Sequence, residues 1–174
     1  RPGGIGLPGP LAGIRVVDVT TNIAGPTLTW ILAQLGAEVI KVERPEEGDE
    51  GRAMGPLWNG HGVYFLAINT NKRSIAVNLK DPRGQECVRR LVAQADVFVE
   101  NFRRGKAEAL GLGYDDLRRV RPDLVYCSVS AFGEKGPDAA KPGYDPILQA
   151  RTGIMSVTGT PDGPPVRVGV SILD

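Results

Sequence analysis

The sequence predicts an α/β protein, with four to five parallel strands and helices on both faces. Three observations predict it. Short β-branched runs recur, helix-period stretches alternate with them, and Gly or Pro marks the joins. At 174 residues, 41% hydrophobic and 24% charged, the chain is long enough to bury a core, with one domain as the default. Twenty-one basic against 20 acidic side chains leave a net charge of +1, which does not point to nucleic acid. No run near 18 apolar residues and no signal peptide are read, so neither a membrane span nor export is expected.

Ile14 to Val19 reads as a strand buried on both faces. The turn 20–25 follows, and Pro26 suits a first helical position because it lacks an N–H. Leu28, Ile31, Leu32 and Leu35 form an apolar stripe, and Gly36 closes the helix. Glu38 to Glu43 is the second strand of a right-handed βαβ unit. Ligands of such units sit beyond the carboxyl ends of the strands, against the helix N-terminus. Here that place is lined by residues 20–25 and by Glu43-Arg44. A single glycine in the turn falls short of GxGxxG, so a dinucleotide fingerprint is absent.

Residues 45–62 read as a charged surface loop with Trp58 as an anchor and His61, the only histidine, solvated. After the apolar segment 64–68, the run 69–74 is either an anion site built on Lys72 and Arg73 or an exposed polar turn. Ile75, Val77 and Leu79 alternate as a half-buried strand ending at Lys80. Asp81-Pro82 is a helix start, with Cys87, Val88, Leu91, Val92 and Ala95 on its apolar face. Strand 96–100 leaves Asn101 and Phe102 just past its carboxyl end, in the layer of Arg44. A short helix opens at Tyr114 with Leu117 and Val120 inward, and 124–129 is another central strand. Residues 136–145 and 159–165 are loops, 146–157 is helical, and 166–174 is a mostly apolar run. Cys87 and Cys127 lack metal-ligand spacing and are expected as buried, inert thiols, so no metal site is read.

In order, PLAGIRVVDVT, AGP, LAQLGAEVIKVERP, NKRSIAVNLKDPRG, DVFVENF, GLGYDDL, YCSVSAFG, GYD and GPPVRVGVSILD resemble the class III acyl-CoA transferases, the family of formyl-CoA transferase and carnitine CoA-transferase. The likeness runs from about residue 10 to residue 174. It implies an irregular lead-in at 1–9, then the N-terminal part of a Rossmann-like, CoA-binding large domain at 10–174. The remainder of the enzyme lies outside this chain, since members are more than twice as long. It further implies an enzyme that moves coenzyme A between an acyl-CoA and a small carboxylic acid through an aspartyl-CoA thioester, and with no signal peptide read a cytoplasmic location is expected. CoA is then a substrate rather than a tightly bound cofactor, and the full-length protein is an interlocked homodimer.

By the same resemblance Asp174 is the nucleophile, ending the apolar run as the family's reactive carboxylate does. Ile23, Ala24, Arg44, Val77, Asn78, Leu79, Lys80, Asn101, Phe102 and Arg103 line the coenzyme, with Lys141 near its pantetheine or diphosphate. Tyr144 and Asp145 are supporting residues. Two departures matter. Ala109 stands where some relatives carry a basic residue, leaving Arg103, Arg104 or Lys106 to compensate. Ile23 replaces the glutamine of the formyl-CoA branch, which favours acids larger than formate or oxalate, dicarboxylates such as succinate among them.

Three rivals are weighed against this reading. An α-methylacyl-CoA racemase needs a His and Asp acid/base pair, and Tyr144 occupies the histidine's place in its GHD motif. A nicotinamide-dependent dehydrogenase lacks its glycine fingerprint. A non-catalytic CoA-binding fragment would bind without transferring. The implied interlocking also predicts that residues 1–174 expressed alone associate through exposed apolar surface. Light scattering tests this, and a monodisperse monomer that melts cooperatively would contradict it.

Overall fold

The computed structural model describes residues 9–173. The chain divides into two compact units, Arg1–Val129 and Ser130–Asp174. In the first unit β1 (Arg15–Asp18), α1 (Ala24–Gln34) and β2 (Glu38–Glu43) form the expected βαβ unit. A 3₁₀ turn at Glu50–Ala53 and a hairpin of β3 (Leu57–Trp58) and β4 (His61–Gly62) follow. Then come α2 (Val63–Ile68), β5 (Lys72–Ala76), α3 (Pro82–Val92), β6 (Val97–Glu100), α4 (Lys106–Ala109), α5 (Tyr114–Val120) and β7 (Val125–Ser128). Five strands pair in the order β5-β2-β1-β6-β7, every pair parallel.

The strand pleat divides the core between the two faces. Val17, Val42 and Phe98 pack with Val88 and Val92 of α3 and Leu117 of α5. Val16, Val39 and Val99 pack with Ala33 of α1. Phe98 is fully buried, and its ring lies 5.3 Å from that of Tyr126. Burying such a side chain stabilises by about 1.5–3 kcal/mol.

Several expectations change. Helix α1 starts at Ala24, two residues before Pro26, and its buried residues are Gly25, Pro26, Thr29 and Ala33. Leu28 and Leu32 are only partly buried, while Ile31 and Leu35 are exposed. The reason is close approach: a Cβ on Gly25 would lie 2.3 Å from the Thr20 Cβ, so small residues face the sheet. Gly36 holds the expected left-handed conformation, at φ 102°.

The strand expected at 75–80 begins instead at Lys72, because residues 72–76 hydrogen-bond to β2 in register with Val39–Glu43. Residues 69–74 are thus neither a free anion site nor simply an exposed turn: the Lys72 side chain is buried, and Arg73 pairs with Glu38. Strand β7 is an edge of the sheet rather than central, which leaves Val125 60% exposed. Trp58 is 65% exposed on the two-stranded hairpin rather than anchored, and Val120 at the end of α5 faces outward. Cys87 and Cys127 are free and half-buried, and burial raises the Cys127 thiol.

In the second unit α6 covers Asp145–Thr152. Gly153, at φ 82°, ends it, so the helix expected to reach 157 continues only as a 3₁₀ turn, Ile154–Val157. Residues 166–173 form no strand or helix, and Val166, Val170 and Ile172 are exposed. No helix among the described residues is long and apolar enough to cross a membrane.

Candidate functional site

Because all five strands are parallel, their carboxyl ends share one edge of the sheet. The chain turns away from β1 to β2 and β5 on one side and later returns to β6 on the other. The crevice between the ends of β1 and β6 is therefore the topological switch point, where open α/β sheets take ligands. The residues leaving the strands there are 19–23, Arg44, Val77–Lys80 and Asn101–Arg103.

Asn101 spans the crevice. Its Oδ1 accepts the Thr21 N–H at 3.0 Å, and its Nδ2 donates to the Thr21 carbonyl at 2.9 Å. One amide thus satisfies both backbone groups of a turn residue and fastens the β6 end to the β1–α1 turn. Ile23 is the N-cap of α1 and offers no side-chain cap, Pro26 in the first turn carries no N–H, and a helix start as such favours an anion. Val77 and Leu79 pack on the core, while Asn78 and Lys80 are exposed. Phe102 is half-buried and packs on the same core, and Arg103, Arg104 and Lys106 are exposed beside it in sequence. Ala109 ends α4 at the surface. Arg44 is exposed and tied into its own loop, donating to the Gly48 carbonyl and pairing with Glu47 and Glu50.

Beneath the turn lies a buried charge network that no motif announces. Asp18, at 0% exposure, accepts from the Thr20 N–H at 2.9 Å and hydroxyl at 2.5 Å, and from the Thr29 hydroxyl at 2.6 Å. Its second oxygen also meets Lys72 Nζ at 3.1 Å. Lys41, register partner of Asp18, donates to the Thr20 carbonyl at 2.8 Å and pairs with Asp49 at 2.8 Å. Asp49 in turn accepts from the N–H groups of Asn22 and Gly51. Asn22 takes a left-handed φ of 71°, which Asn tolerates better than most residues.

Glu43 completes the network, accepting from Arg52 Nε and Nη2, from the Ser74 hydroxyl and from the Asp49 N–H. Burial pushes its carboxyl up, but the hydrogen bonds from Arg52, Ser74 and Asp49 outweigh burial and hold it at about 2. Burial lowers the Lys72 ammonium to about 8, and the nearby Asp18 charge partly opposes that. One signal stood in the sequence, since Asp18 is a charge inside a strand otherwise read as buried, but nothing local names its partners.

In the second unit, Lys141 is exposed and pairs with Asp138, which also receives Arg151. Tyr144 caps α6 by position and is 61% exposed. Asp145, 4% exposed, accepts the N–H groups of Ile172 at 2.9 Å and Leu173 at 3.0 Å on one oxygen and Gln149 at 2.6 Å on the other. Gln149 is fully buried, a residue the motif reading missed. Asp174 lies outside the described residues.

Residues 11–174 match the family described as CoA-transferase family III. The chain is 51% identical over 166 residues to succinyl-CoA:glutarate CoA-transferase of Mus musculus, covering 95% of this chain and 38% of the relative. It is 47% identical over 165 residues to acetyl-CoA:oxalate CoA-transferase of Acetobacter aceti, covering 95% and 42%. A crystal structure of a CAIB/BAIF family protein from Brucella suis superposes with TM-score 0.90 at 45% identity, covering 95% of this chain and 45% of that one. The chain thus spans less than half the length of the relatives it matches.

The Glu43 network predicts an acid dependence of stability. A carboxyl held at about 2 against an ordinary 4.5 contributes fully above pH 4.5, and the contribution is lost as pH falls towards 2. Its size is on the order of 3 kcal/mol. Urea midpoints between pH 5 and pH 2 should therefore fall more steeply for the native protein than for Glu43→Gln. Equal slopes would contradict the network's role.

Proposed function

The chain belongs to CoA-transferase family III, and from that premise we propose that the full-length protein transfers coenzyme A between an acyl-CoA and a dicarboxylic acid. The observation that carries the reading is the match over residues 11–174, which reaches Asp174. A carboxylate there attacks the thioester carbonyl of the donor and expels the CoA thiolate, leaving a mixed anhydride. The thiolate then attacks the Asp174 carbonyl and releases the donor's acid, giving an aspartyl-CoA thioester. The incoming acid repeats the exchange and leaves as its CoA ester, restoring Asp174. A carboxylate is required because it can form both intermediates, and dividing the transfer into such steps is nucleophilic catalysis.

In this reading coenzyme A lies along the carboxyl edge of the sheet. The uncapped start of α1 at Ile23 and Ala24 faces a phosphate or the pantetheine. Arg44, Lys80 and Arg103 are exposed cations at the same edge, suited to the phosphates of the nucleotide end. Val77, Leu79 and Phe102 support that edge from the core, while Asn78 and Asn101 set its backbone. Lys141 is a coenzyme contact by the family likeness alone, and within the second unit Asp145 holds the chain leading into Asp174.

A dicarboxylate acceptor larger than oxalate rests on Ile23, which lacks the polar contact of the formyl-CoA branch's glutamine, and on the glutarate named for the Mus musculus relative. The working form is a cytoplasmic homodimer. Leu57, Trp58, Val63 and Tyr64 are exposed apolar surface that such an assembly would cover.

Two measurements on the full-length protein test the reading. Arg44→Ala should weaken CoA binding in calorimetry by about 1–3 kcal/mol, the worth of a charge-assisted hydrogen bond, and an unchanged affinity would refute its placement. Asp174→Ala should abolish transfer from succinyl-CoA to glutarate with CoA binding nearly intact. Residual turnover above a few per cent of native, or hydroxylamine trapping on another carboxylate, would overturn the nucleophile assignment.

A further inference from the structure

Asp145 and Gln149 stand one helical turn apart on α6, so both side chains project to one side of the helix. Every polar atom of the Gln149 amide is spent on the segment 168–173 or on Asp145. Its Oε1 accepts the Val168 N–H at 2.8 Å. Its Nε2 donates to Asp145 at 2.6 Å and, more distantly, to the carbonyls of Val168 at 3.4 Å and Val170 at 3.3 Å. Asp145 takes over where Gln149 stops, accepting the N–H groups of Ile172 and Leu173. The segment so held has no strand or helix of its own, and its side chains at Val170 and Ile172, like Val166 just before it, are exposed. Val168 and Leu173 are half-buried, and just before the segment the Val166 N–H donates to the Met155 carbonyl. Along 168–173 the two α6 side chains take main-chain groups of Val168, Val170, Ile172 and Leu173, and Gln149 is the more buried of the two, at 0% exposure.

We propose that Gln149 is a positioning residue for the transfer reaction: it sets the register of residues 168–173 and so the approach of Asp174. This rests on the reading of Asp174 as nucleophile. The amide is the one side-chain group of its size that both accepts from Val168 and donates to a carboxylate. A carboxyl in its place does so only while protonated, and when ionised it stands against Asp145 as a like charge.

The test uses the full-length protein with succinyl-CoA and glutarate. Gln149→Leu, at matched folded fraction by near-UV circular dichroism, should lower kcat roughly 10- to 100-fold, the scale of a small misplacement of reacting groups. Its KM for the acyl-CoA should stay within about twofold, since ground-state binding is untouched. Gln149→Glu should approach native kcat at acid pH and fall below it as the introduced carboxyl and Asp145 lose their shared proton, adding an alkaline limb that the native profile lacks. Native kcat in Gln149→Leu per folded molecule, or a Gln149→Glu profile that superimposes on the native one, would overturn the proposal. Asp174→Asn is run alongside. If it is inactive while Gln149→Leu is native, only the positioning role fails. If it is active, the nucleophile reading fails and the proposal falls with it.

Discussion

The first unit depends on the burial of opposite charges at the ends of its two central strands. Asp18 closes β1 and Lys41 lies opposite it in β2, both essentially without exposure. Neither is tolerable there alone: removing one partner of a buried pair costs about 3–5 kcal/mol, because the other is left uncompensated. Asp18 is answered by Thr20, Thr29 and Lys72, and Lys41 by Asp49 and the Thr20 carbonyl. Those partners come from four separate stretches of chain. The pairing therefore does little for stability compared with an apolar core, but it admits one arrangement of the β1–α1 turn.

That constraint explains the local chemistry above it. Thr20, Asn22 and Gly51 have their N–H groups taken by carboxylates below, and Thr21 has both backbone groups taken by Asn101. The turn is consequently ordered without glycine repeats. Its one glycine, Gly25, is needed for the close approach of Thr20 and not for a phosphate-cradling loop. A βαβ unit lacking the dinucleotide fingerprint can still present a fixed helix N-terminus, because ion pairs do the fixing.

The second unit reaches the same end by similar means. Asp145 and Gln149 convert a buried carboxylate and amide into a clamp on backbone that lacks regular structure. In both units a buried acid accepts two or more main-chain N–H groups next to a segment with a proposed role. Buried acceptors of this kind are costly when left unpaired, and geometry is what that cost secures.

The order of the five sheet strands and of α1, α3, α5 and α6 was legible in the sequence, because period-2 and period-3.6 patterns are local properties, whereas the β3–β4 hairpin, α2 and α4 were not read. Also legible were the placement of the candidate edge, the caps at Asp81 and Gly36, and the family motifs that point to Asp174. The face of α1, the start of β5 and the edge position of β7 were not. Each was decided by a contact that exists only in the folded chain: Thr20 against Gly25, residues 72–76 against β2, and the neighbours available to β7. The charge network and Gln149 belong with these. A charged or amide residue in a string of letters does not say what it will meet, and burial with a partner is settled only when the chain has folded around it.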